Sequence, residues 1–131
     1  MFSVLKFGRN SCTWDFSEKQ LENLLRKADQ SADHNSRATY MMKAVEVAEE
    51  MKLPMGHLGR IYDMSARAHV AAELWDDAEK YFLIAINRLV QSGVEPNSPQ
   101  IIHISLQLSS IFNQKKEYAK VKKNTDFCIE N

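Results

Sequence analysis

The chain has 131 residues, 44% of them apolar, and its 17 basic and 17 acidic residues cancel to a formal charge of zero. That balance lacks the basic footprint on which nonspecific nucleic-acid binding rests. The longest unbroken apolar run, Phe82 to Ile86, is far short of the roughly 20 residues a membrane-crossing helix needs. With only four glycines and three prolines, the composition favours one all-helical domain with a single core.

Residues 1–17 read as a flexible N-terminal segment. Met1 to Trp14 contains Lys6 and Arg9 and no acid, a weak likeness to a mitochondrial presequence; a plain tail accounts for the same residues. A first helical hairpin follows. Leu21, Leu24, Leu25 and Ala28 make one stripe, and Met41, Ala44 and Ala48 make the next. Asp33-His34-Asn35-Ser36 is the expected turn, with Asn35 or Ser36 capping the second helix. Pro54 and Gly56 end this hairpin.

The second hairpin has the clearest spacing. Tyr62, Ser65, Ala66 and His69 lie on one helix; Trp75, Ala78, Phe82 and Ala85 lie on the next. Twelve residues separate Ala66 from Ala78, leaving room for a three- to four-residue turn. Small side chains at the crossing allow a close approach, and Tyr62 and Phe82 fill the wedge. Asp76 and Asp77 open the second helix, where negative charge complements the helix N-terminus. His69 falls at an aromatic packing position and is expected in the core, whereas His34 and His57 are expected in solvated connections.

Ser92-Gly93 to Pro99 reads as a loop. In a third hairpin Leu108, Ser109 and Phe112 belong to the first helix and Asn113-Gln114-Lys115-Lys116 to the turn. Tyr118, Val121, Thr125 and Cys128 form the second stripe.

These spacings resemble the tetratricopeptide repeat, a helical hairpin of about 34 residues that cannot bury its apolar face alone. The copies span about 18–51, 59–92 and 102–131, with starts 41 and 43 residues apart. The expected fold is an all-α, right-handed solenoid of three hairpins and about six helices over residues 18–131. No polar capping helix follows the last hairpin, although solenoids ordinarily need one. Either the chain is a piece of a longer array, or it self-associates through that end.

Residues for chemistry are sparse. The four histidines fit no metal-ligand spacing, and Cys12 and Cys128 are 116 residues apart, so two reduced thiols are expected. Phosphate-binding loops and a nucleophile elbow are missing. No catalytic residue, metal or cofactor is therefore expected. Lys115, Lys116, Lys120, Lys122 and Lys123 read first as a solvated outer face; docking to an acidic partner or anionic lipid is the alternative. The concave face of the solenoid supplies the candidate binding residues: Lys19, Glu22, Asn23 and Arg26, then Arg60, Asp63 and Arg67, then His103, Gln107 and Ser110. Both charge signs are mixed there, which suits a protein segment of mixed charge and not the carboxylate clamp of chaperone-binding tetratricopeptide domains.

Particular strings go further than the repeat. Ile61-Tyr62-Asp63-Met64-Ser65-Ala66, Asp77-Ala78-Glu79-Lys80-Tyr81-Phe82, Ile101 to Ile111 and Phe127-Cys128-Ile129 resemble segments of the tetratricopeptide repeat protein 19 family. The resemblance covers about Leu24 to Ile129 and is weaker before Tyr40. It implies a non-catalytic, mitochondrial, inner-membrane-associated protein that binds respiratory complex III and supports its assembly or maintenance, with no catalytic residues to carry over. Members of that family are longer, and their sequences differ from this one over Lys115–Lys123. The alternative is a generic cytosolic adaptor that binds a peptide in its concave groove.

Overall fold

The computed structural model describes the backbone of residues 12–130 and the side chains of residues 16–117. Five helices follow one another: α1 (Cys12–Gln30), α2 (His34–Glu50), α3 (Met55–Ala71), α4 (Trp75–Gln91) and α5 (Pro99–Glu130). The described residues are all-α, without a strand. Each helix packs on the next in the chain, most extensively α3 on α4, and the three-residue connections 31–33 and 72–74 make α1–α2 and α3–α4 helical hairpins.

Helix ends are set by specific groups. The turn into α2 is capped by Asp33, whose carboxylate accepts from the Ser36 backbone N–H at 3.1 Å and the Ser36 hydroxyl at 2.9 Å. Asn35 and Ser36 are therefore not the cap, because Asp33 has the extended backbone of an N-cap residue and His34 is already helical. Those hydrogen bonds hold the Asp33 carboxyl below its ordinary pKa. Arg37 reaches back to the end of α1, donating to the Ala28 carbonyl at 3.1 Å and the Ser31 carbonyl at 2.8 Å, where a cation also complements the helix C-terminus.

The C-termini of α2, α3 and α4 share one motif. Lys52, Glu73 and Gly93 take positive φ of 55°, 59° and 102°. The next residues, Leu53, Leu74 and Val94, donate back to Ala48, His69 and Leu89, closing the six-to-one bond of a Schellman cap. Gly93 is free of the steric cost that Lys52 and Glu73 bear in the left-handed region. Pro54 is the residue before α3 and starts a helix instead of ending one; Gly56 and the half-buried His57 lie inside α3.

The core runs from Leu21 in α1 to Ile111 in α5. At its centre Ala66, Ala78, Phe82 and Ala85 are fully buried, as the spacing of the second hairpin predicts. Gly59 lets α4 come closest: a Cβ there would sit 2.6 Å from Leu89 Cγ. His69 is buried as expected, its ring 4.8 Å from that of Tyr81. Because a carbonyl only accepts, its Nδ1 carries the proton donated to Ser65 O at 2.7 Å.

The C-terminal part departs from expectation. α5 runs unbroken through Asn113-Gln114-Lys115-Lys116, so the predicted third turn and sixth helix are absent among the described residues. None of these residues forbids helix, and Gln and Lys are among the good helix formers. The inward stripe of α5 is Ile101, Ile104, Leu108 and Ile111, displaced from Leu108, Ser109 and Phe112; Phe112 is 66% exposed. The side chains of the predicted Tyr118–Cys128 stripe lie outside the described residues. At the other end, residues 12–17 are helical and continuous with the rest of α1, and Glu18 is buried. Residues 1–11 lie outside the described residues.

Candidate interaction groove

Of the ten concave-face candidates, four form two pairs, each within a single helix. Asp63 of α3 is buried and pairs with Arg67 one turn on, at 3.1 Å. Burial raises the Asp63 carboxyl above its ordinary pKa, while Arg67 and then His103 of α5 pull it back. Asn23 and Arg26 form a separate pair on α1 at 3.3 Å. Lys19, Arg60 and Ser110 are exposed, and Glu22 and Gln107 are half-buried.

A groove of about 310 Å³ opens between these helices. Leu25 and Ala28 of α1, Met41 of α2, and Met64, Ala68 and Ala71 of α3 give it an apolar lining. Asp29, Arg37 and Arg67 supply its charge. Only Arg67 belongs to the sequence-derived set. Met64, 44% exposed, was missed, although Met64, Ala68 and Ala71 form an i, i+4, i+7 stripe. Unbranched methionines next to small residues make a surface that adapts to apolar side chains of different shape.

A second polar cluster lies at the junction of α2, α3 and α4. Tyr62 Oη donates to Glu49 Oε1 at 3.0 Å, and Arg88 Nη2 donates to the same oxygen at 3.2 Å. Burial and the Glu49 carboxylate push the Tyr62 phenol up to about 12. Tyr62 and Tyr81 stand 5.9 Å apart beside a cleft of about 380 Å³ that Glu46, Glu50 and Lys80 also line. With its carboxylate already bonded by Tyr62 and Arg88, Glu49 acts as a tie between the two hairpins.

Among the described residues no group of three or more His, Cys, Asp or Glu is placed to hold a metal ion, and no helix is long and apolar enough to cross a membrane. Asp76 does lie in the first turn of α4 as expected, and there it accepts from Lys115 Nζ at 2.7 Å. No family model, curated protein or solved structure matches the chain.

Proposed function

We propose that the chain is a non-catalytic protein-interaction module, a right-handed solenoid of tetratricopeptide-type hairpins that takes a segment of its partner between α1 and α3. The observation carrying this reading is the apolar groove with Met41 and Met64 in its lining and Arg67 at its edge. Support for the repeat comes from the order of helix packing, the short connections and the small residues buried where α3 meets α4. An amphipathic segment would place apolar side chains on the methionines and an acid near Arg67, whose own side chain is 55% exposed.

The partner proposed is respiratory complex III, in a factor for its assembly or maintenance at the mitochondrial inner membrane. What favours it is the set of strings at 61–66, 77–82, 101–111 and 127–129, where Ser105 and Cys128 are not demanded by a generic hairpin. Affinity capture with the tagged chain from detergent-solubilised mitochondria tests both parts. Recovery of complex III subunits, reduced about tenfold by Arg67→Glu or by Met64→Glu, is the expected result. Recovery unaffected by either change moves the site off the groove. Recovery of a cytosolic motor or chaperone instead replaces the mitochondrial reading with that of a cytosolic peptide adaptor.

A further inference from the structure

The loop from Ser92 to Ser98 is the longest connection between the five helices, seven residues against three or four elsewhere. It leads through Glu95-Pro96-Asn97-Ser98 into Pro99, and Ser98 is the one Ser or Thr of the chain that a proline follows. Glu95, Pro96, Asn97 and Pro99 are exposed and Ser98 is half-buried. A turn holds the string, with the Ser98 backbone N–H donating to Glu95 O at 3.0 Å. The Ser98 hydroxyl accepts from the Ile101 backbone N–H at 3.3 Å, and its own proton has no acceptor among the described residues. Starting α5 accounts for Ser98 and Pro99. It does not account for Pro96 or for the exposed stretch around it.

We propose that Ser98 is a phosphorylation site for a proline-directed protein kinase, and that the phosphate tightens the start of α5. Kinases of that class hold the substrate as an extended chain and leave the backbone N–H after the acceptor residue unpaired. Proline has no N–H to lose there, and it biases the residue before it towards extended backbone. Pro96 fixes its own φ at an extended value on the other side of Ser98. Release of the Glu95–Ser98 turn is a local opening in a surface loop, which is a low-energy event. In the transfer, Ser98 Oγ bonds to the γ-phosphorus of ATP and the bond from that phosphorus to the β,γ-bridging oxygen breaks. ADP leaves, and the hydroxyl proton passes to the base of the kinase.

The consequence follows from the helix end. Asp76 and Asp77 stand in the first turn of α4, whereas α5 has no acid in its first turn and none as far as Gln114. No side-chain charge of α5 therefore complements the positive end of its dipole, and no carboxylate in its first half repels a phosphate. Glu95, the nearest acid in the sequence, is exposed, where repulsion is screened by salt. Phosphate oxygens on Ser98 accept from the Gln100 and Ile101 amides in shorter, charge-assisted bonds than the neutral hydroxyl makes. The site shares no residue with the α1–α3 groove and is independent of what that groove binds.

The test incubates the full chain with a cyclin-dependent or mitogen-activated protein kinase, ATP and magnesium, and reads intact mass and peptide maps. One phosphate on Ser98 is expected, and Ser98→Ala and Pro99→Ala each abolish it while helicity is unchanged. Amide hydrogen exchange over Gln100–Ile104 then slows about fivefold, the size expected of a charge at a helix N-terminus, with the amides of α3 unaffected. Absence of phosphate from the folded chain overturns the site, as does phosphate placed on a different residue. Labelling of Ser98 that persists in Pro99→Ala overturns recognition through the proline. A phosphorylated chain in which Gln100–Ile104 exchanges at the unmodified rate, or faster, overturns the tightening of α5.

Discussion

Phe82, on the second helix of the second hairpin, and Phe112, assigned by the pattern to the first helix of the third, are both read as members of apolar stripes and meet opposite fates. In the α3–α4 pair Phe82 is 0% exposed, surrounded by Ala66, Ala78 and Ala85 at 0%. In α5 Phe112 is 66% exposed on a helix that goes straight on where a turn was expected. A helical stripe therefore says which residues share a face, but burial is decided by whether another helix arrives there. The centre of this molecule has helices on both sides; its C-terminal part has an extensive partner on one.

The largest effect that tests this contrast is a matched pair of truncations. Phe82→Ala is expected to cost about 3–5 kcal/mol through lost transfer energy and a cavity that rigid neighbours cannot collapse. Phe112→Ser, measured by urea unfolding of the dilute protein, is expected to stay within about 0.5 kcal/mol of wild type. Equal costs would mean that the two phenylalanines are in equivalent environments, and the comparison would fail.

A smaller effect probes what holds the centre to the first hairpin. Tyr62→Phe removes one hydrogen bond to Glu49 and is expected to cost about 0.5–1.5 kcal/mol. Its pH dependence has a definite sign. The folded phenol lies at about 12 against an ordinary 10.0, so the neutral form is the one folding favours. Its stabilisation is complete below pH 10 and is lost as pH rises from 10 towards 12. The difference between wild type and Tyr62→Phe in urea midpoint should accordingly shrink across that window. A difference that grows there would sink the assignment of Tyr62 as a buried donor.

The two hairpins were legible in sequence because their information is local and periodic. Small residues at Ala66 and Ala78 with Phe82 between them require close helices, whatever else the chain does. Other features had no local sign. Lys52 and Glu73 cap helices in a left-handed conformation that only Gly93 advertises. The Glu49–Arg88 bond joins residues 39 apart, and the Met41–Met64 lining of the groove forms only when α2 and α3 are side by side. The turn at 113–116 failed for a different reason: it was inferred from the repeat, while the residues themselves are compatible with helix. Of the candidate site, the Asp63–Arg67 pair was readable as an i, i+4 spacing; the apolar floor beside it was not.

The smallest effect concerns the link between the two regions. Lys115 of α5 donates to Asp76 Oδ1 at 2.7 Å and Glu79 Oε2 at 2.8 Å, both on α4. Hydrogen bonds to these carboxylates raise its pKa above the ordinary 10.5, so the fork is intact at neutral pH and is lost as pH rises through the raised value. It is also exposed, with the Asp76 side chain at 87%, and such pairs are screened by salt and add little to global stability. Lys115→Ala should therefore leave the urea midpoint nearly unchanged. Its effect should appear locally, as faster amide hydrogen exchange around Ile111–Lys116 at low salt, with the amides of α3 and α4 unaffected. If α4 exchanged faster by the same factor, α5 would open only together with the centre. The distinction between a doubly covered middle and a singly held end would then describe burial alone, with no counterpart in local stability.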